Sequence, residues 1–177
     1  MSSARSIVLI GMMGAGKSSV GRCLERRTGL QRFDTDEIVS ARLAKSISAI
    51  FKDLGEEQFR RAETEALGIL NPAQPAIIVT GGGIVLRDEN VHHLKRLGLV
   101  VWLDAEENVL FERASRRGNR PLLKTEDPRV TLAKIRAERE TRYAAASDVR
   151  IDTTDRSHEE VADMILEEID RRTTRQA

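Results

Sequence analysis

The eight residues Gly11-Met12-Met13-Gly14-Ala15-Gly16-Lys17-Ser18 carry the pattern Gly-x-x-x-x-Gly-Lys-Ser. A β-branched apolar run, 6–10, precedes them, and an amphipathic stretch starting at Gly16 follows. Between a strand and a helix this pattern is a phosphate cradle. Its glycines let consecutive backbone N–H groups curl around an anion without Cβ clashes, and the helix N-terminus adds its positive end at the same place. Lys17 supplies a point charge for the β- and γ-phosphates of a nucleoside triphosphate, and the Ser18 hydroxyl is a hard oxygen ligand suited to Mg²⁺. Gly14, Ala15, Gly16 and Ser19 complete the nucleotide side. The cradle specifies a phosphate donor and leaves the acceptor open.

Candidates for the acceptor side are spread along the chain. Asp34-Thr35-Asp36 sits at the end of a short predicted second strand, where open α/β sheets place ligands. Its carboxylates suit a Mg²⁺ shell or the orientation of an attacking hydroxyl. Asp34-x-x-Glu37 equally fits a helix capping box, and Asp36 an N-cap. Two of the chain's four phenylalanines, Phe51 and Phe59, bracket a segment that ends in Arg60-Arg61. An arginine fork holds a carboxylate in bidentate fashion, and aromatic walls beside it suit a small ring. Gly81-Gly82-Gly83 follows a strand and permits close approach of a ligand to the backbone. A polar, basic stretch, 117–127, broken by Gly118 and Pro121, reads as a mobile loop.

The elements that must position these residues alternate short β-rich runs with longer amphipathic ones, the mark of a parallel sheet with crossover helices. Strands are predicted over 6–10, 31–34, 76–80, 99–103 and 149–152. Helices are predicted over 16–28, in two short pieces across 36–54, and over 56–70, 88–97, 106–117 and 128–145, with a last one carrying Val161, Met164, Ile165 and Ile169. The tail 171–177 is expected to fray. No hydrophobic strand ending in Asp is found to supply a second acidic motif, and the third strand ends in Thr80-Gly81. His92, His93 and His158 show no metal-ligand spacing, and Cys23 and Trp102 read as structural.

With 177 residues, 32% of them charged and a net charge of +1, the chain reads as one domain without the basic excess of a nucleic-acid binder. No apolar run is long enough to span a bilayer, no signal-peptide core precedes the first strand, and one cysteine forms no intrachain disulfide. These features predict a cytoplasmic protein without membrane or nucleic-acid partners. The absence of a spare apolar stripe predicts a monomer.

Taken in order, several motifs resemble the shikimate kinase family over nearly the whole chain. They are the P-loop, Asp34-x-Asp36, Ile50-Phe51-x-x-x-Gly55-Glu56-x-x-Phe59-Arg60, the triple glycine, Arg120-Pro121-Leu122-Leu123 and Arg139-x-x-x-Tyr143. The resemblance implies a three-layer α/β/α P-loop kinase fold with a central five-stranded parallel sheet in the order 2-3-1-4-5. It also implies a substrate-binding helical insert at about 34–62 and a lid at about 114–127. The implied reaction carries the γ-phosphate of ATP to the 3-hydroxyl of shikimate, in aromatic amino-acid biosynthesis, with one Mg²⁺. Lys17, Asp36 and Arg120 are the implied catalytic residues, with Arg120 carried on the lid. Arg60, Arg139 and the Gly82 backbone grip the shikimate carboxylate in a pocket shaped by Phe51, Phe59 and Glu63. Ser18, and Asp34 through water, serve the metal. Arg113, with Arg116 and Arg117 as rivals, and Arg156 lie where the family holds adenine. A gluconate-type or nucleoside monophosphate kinase is the alternative enzyme, and a regulatory nucleotide switch the alternative outside catalysis.

Overall fold

The computed structural model describes residues 5–116 and 121–176, with Gln176 described by its backbone alone. The apolar runs pair as one parallel sheet of β1 (Ser6–Ile10), β2 (Arg32–Asp34), β3 (Ile77–Val79), β4 (Gly98–Asp104) and β5 (Val149–Asp152). Their order is β2-β3-β1-β4-β5, as predicted. Every residue of β1 and β3 is buried, which is why these strands are continuously apolar rather than alternating. The helices are α1 (Lys17–Thr28), α2 (Thr35–Leu43), α3 (Ile47–Gly68), α4 (Asp88–Leu97), α5 (Glu107–Ser115), α6 (Pro128–Ala146) and α7 (His158–Gln176). They complete a three-layer α/β/α fold, in which α1 packs on α7 while α4 and α6 pack against β4. After β1 the chain turns to one side of the sheet, and after β3 it crosses to the other. The carboxyl end of β1 therefore opens on the crevice where such sheets bind ligands.

The predicted helical pieces before residue 70 are present as α2 and α3. Within α3, Gly55 (φ 82°, ψ 167°) interrupts the helical path, so two arms meet at that residue. Val39, Ile50, Phe59 and Ala66 bury a small second core under these arms, apart from the main core on the sheet. That core gives the segment between β2 and β3 its own rigidity.

The tail expected to fray from 171 is helical as far as Gln176. Arg172 pairs with Glu168 at 2.7 Å, its Nη2 donates to the Asp148 carbonyl at 2.9 Å, and Arg171 pairs with Glu168 at 3.3 Å. These i,i+3 and i,i+4 pairs and the tie to the sheet edge hold the last turns. A hydrophobic strand ending in Asp does exist, namely β4, which closes on Asp104. Asp104 is buried and engaged by Arg150 at 2.6 Å and Arg136 at 3.4 Å. It anchors α6 and β5 to β4. Beyond α5, Arg117 and Arg120, the arginine expected on a lid, lie outside the described residues. Pro121–Leu123 form a 3-10 turn, and Asp127 caps α6 by accepting from the N–H groups of Arg129 and Val130. Within the predicted loop, regular structure is confined to that 3-10 turn among the described residues.

Candidate active site

The P-loop runs from the carboxyl end of β1 into α1. Gly16 is the N-cap and adopts a left-handed conformation (φ 91°), which a Cβ would disfavour. Lys17 is buried, and its ammonium donates to the carbonyls of Gly11 (2.7 Å) and Met12 (3.0 Å). The charge is thereby held over the loop. One cavity beside the loop is lined by Gly14, Gly16, Ser18, Ser19, Arg113 and Arg116. Arg113 is pinned by donating to the Thr153 and Thr154 carbonyls, both at 3.0 Å, and to the Thr153 hydroxyl at 3.2 Å. Ala15 is fully buried behind the loop. Arg156 does not line this cavity and donates to the Asp152 carbonyl.

A second cavity shares Met13, Lys17 and Ser18 with the first, and residues from four other elements close it. Asp34 ends β2, Asp36 begins α2, Arg60 comes from the second arm of α3, and Arg139 from α6. The Gly81-Gly82-Gly83 turn after β3 forms its floor, and Phe51 and Phe59 a wall, their ring centroids 4.7 Å apart. Asp34, and not Asp36, is the N-cap of α2. Its carboxylate accepts from the Asp36 N–H at 3.0 Å as the N-cap of α2, and the residue also lines the cavity.

Arg60 is buried with its guanidinium spread over two carboxylates, Glu63 at 2.5 Å and Glu56 at 2.8 Å, and it lies over the Phe59 ring at 5.2 Å. A Cβ at Gly83 would run into that guanidinium, so this glycine supplies the space Arg60 occupies. Arg139 is buried and donates to the Gly82 carbonyl at 3.0 Å. Two cations thus stand on one cavity, the setting in which a carboxylate is bound by charge-assisted hydrogen bonds. Burial pushes the Glu63 carboxyl up to about 7, against the opposing pull of Arg60. Burial, then the neighbouring Asp36 and Glu37 charges, also push Asp34 above the ordinary carboxylate range.

The donor set at this junction suits a magnesium ion. The Ser18 hydroxyl and the Asp34 carboxylate are hard oxygen donors on the same cavity, and a divalent cation would relieve the crowding of negative charge at Asp34.

One residue escaped sequence reasoning. His158, the first residue of α7, lines the nucleotide-side cavity beside Gly16 and Arg113. Without partners near it in sequence, it carried no signal beyond its place after β5. The structure brings together Lys17, Ser18, Asp34, Asp36, Arg60, Gly82 and Arg139, and places Arg113 on the adjoining cavity.

A family model described as "Shikimate kinase" matches residues 13–170. The shikimate kinase of Thermodesulfovibrio yellowstonii is 42% identical, covering 94% of this chain and 96% of its own. That of Symbiobacterium thermophilum is 44% identical, covering 96% and 99%. Among solved structures, the shikimate kinase from Acinetobacter baumannii in complex with shikimate superposes with a TM-score of 0.90 at 33% identity, covering 94% of this chain and 93% of the other. With the model matching most of its length and relatives of this identity matching nearly all of it, the chain belongs to the shikimate kinase family.

Proposed function

We propose that the protein transfers the γ-phosphoryl group of ATP to the 3-hydroxyl of shikimate, giving shikimate 3-phosphate and ADP. The observation that carries this reading is the convergence of Arg60, Arg139, Asp36 and the triple-glycine turn on a cavity that shares Lys17 and Ser18 with the nucleotide side. Arg60 and Arg139 hold the acceptor's carboxylate, and the Phe51–Phe59 wall faces its ring. Asp36 accepts a hydrogen bond from the attacking hydroxyl. Lys17 leaves the Gly11 and Met12 carbonyls for the transferring phosphate, where negative charge spreads in the transition state. Ser18 and, through water, Asp34 would hold Mg²⁺, which would supply charge neutralisation on the β- and γ-phosphates. The family resemblance adds Arg120 as a lid cation, Arg113 on adenine and Arg156 close by.

The same reading has the protein acting as a cytoplasmic monomer. Among the described residues no helix is long and apolar enough to cross a membrane. A gluconate-type or nucleoside monophosphate kinase is not favoured, because the family match covers the acceptor residues as well as the P-loop. The test is coupled ADP release with shikimate, gluconate or a nucleoside monophosphate as acceptor. Shikimate-dependent release is expected, and turnover with gluconate or the nucleotide in its place would reject the reading.

A further inference from the structure

Arg139 begins a short motif, Arg139-x-x-x-Tyr143, whose second member has no role in the reaction described so far. Four residues along α6 bring Tyr143 onto the same face as Arg139. Tyr143 is almost completely buried, and its phenol donates to the Gly82 carbonyl. That oxygen also accepts from Arg139 Nη1 at 3.0 Å. A carbonyl oxygen has two lone pairs, so both are used here by two donors from consecutive turns of one helix. The Tyr143 ring is fixed in turn, stacked on Trp102 of β4 with centroids 5.8 Å apart and an interplanar angle of 22°. Arg150 lies over the Trp102 ring at 4.5 Å and pairs with Asp104, which also holds Arg136 of α6. Burial raises the phenol to about 12, so it remains a donor throughout the neutral range.

The arrangement has a direct consequence for the acceptor cavity. A hydrogen bond at one nitrogen restrains the whole fork, because the planar guanidinium moves as one rigid body. The Gly82 carbonyl is the point on which the Arg139 fork turns, and Tyr143 is its second anchor. Gly82 also abuts the P-loop, since a Cβ built there would stand 3.5 Å from the Gly11 carbonyl oxygen and from the Met13 nitrogen. A triple-glycine turn has little intrinsic stiffness, so its shape depends on such ties.

We propose that Tyr143 is a positioning residue for acceptor binding: anchored on Trp102, its hydroxyl holds the Gly82 carbonyl, and through it the Arg139 fork and the glycine turn, in the geometry that receives the acceptor's carboxylate. The inference rests on the assignment of Arg139 and Gly82 to the acceptor.

Tyr143→Phe removes the hydroxyl and keeps the stacked ring. Steady-state kinetics with each substrate varied, calorimetric titration of shikimate and a melting curve are the measurements. KM and Kd for shikimate are expected to rise about tenfold, the loss of one buried hydrogen bond. The expected kcat stays within about twofold, and KM for ATP is unchanged. In an Arg139→Ala background the same substitution is expected to shift shikimate affinity less than in the parent, since coupled residues are not additive. Unchanged shikimate affinity in Tyr143→Phe overturns the inference, as does an equal rise in both KM values with a lowered Tm, which marks a purely structural tyrosine. If Tyr143→Phe does not fold, Trp102→Phe, which keeps the hydroxyl but loosens its platform, is expected to raise KM for shikimate alone, and no change there overturns the inference. Arg139→Ala separates the two failures. Retained shikimate affinity in that variant sinks the site assignment itself, whereas loss there with none in Tyr143→Phe sinks only the role of the tyrosine.

Discussion

The two halves of the site are built in opposite ways. The donor half is contiguous, with Gly11 to Ser18 forming a single turn between β1 and α1 whose working groups are chiefly backbone N–H groups and one lysine. The acceptor half is dispersed, drawing Asp34, Asp36, Arg60, Gly82 and Arg139 from five positions spread over more than a hundred residues. A phosphate cradle needs only local backbone geometry, which a short run of glycines dictates. A carboxylate pocket needs opposed cations on rigid supports, which only packed elements supply. The donor half should therefore fail through chemistry when one residue is changed, and the acceptor half through geometry.

The largest effect expected follows from removing the donor half's one cationic side chain. Lys17→Ala should lower kcat by about a thousandfold, the scale of losing a group aimed at developing charge, and a melting curve checks that the fold is kept without its bonds to the Gly11 and Met12 carbonyls. Loss of less than tenfold would show that the loop backbone carries the phosphate without it.

A smaller and more selective effect is expected from a methyl group on the acceptor side. Gly83→Ala drives a Cβ into the Arg60 guanidinium while its φ of −102° accepts an alanine. Displacing Arg60 from a buried carboxylate contact should raise KM for shikimate about tenfold, with KM for ATP unmoved. Equal changes in both would erase the distinction between the halves.

The smallest effect expected is on stability, and it tests Glu63 beneath Arg60. Its carboxyl, ordinarily near 4.5, is raised to about 7 by burial. The folded protein thus binds more protons than the unfolded chain between these values, so stability falls as pH rises through that window and levels off above it. Glu63→Gln cannot titrate, so its melting temperature should change less between pH 5 and pH 7.5 than that of the parent. Parallel pH profiles for the two would remove Glu63 as the source.

Legibility in the sequence tracked the same division. The strands were readable because sheet burial on both faces leaves unbroken apolar runs such as Ile77–Val79, and the P-loop because its function is written in consecutive residues. The Asp at the end of β4 was passed over, since its two partners, Arg136 and Arg150, lie more than thirty residues away. The expectation of a frayed tail follows from its place at the chain end, and in the structure that stretch is helical to Gln176, with Arg172 tied to Glu168 and to the Asp148 carbonyl. His158 carried no local signal at all, and only the packing of α7 beside the P-loop gives it a place.

By itself, then, the sequence determined the order of strands and helices and the nucleotide cradle, because both follow from hydrophobic periodicity and local backbone conformation. Motif resemblance named the acceptor residues and their shared target, but not the contacts that hold them in place. The tertiary structure decided that Arg60 and Arg139 face one cavity, that Gly83 makes room for the first, and that the Gly82 carbonyl anchors the second together with Tyr143. Those outcomes depend on close packing between elements distant in the chain, and distances across a core are set by the whole of it rather than by any one segment.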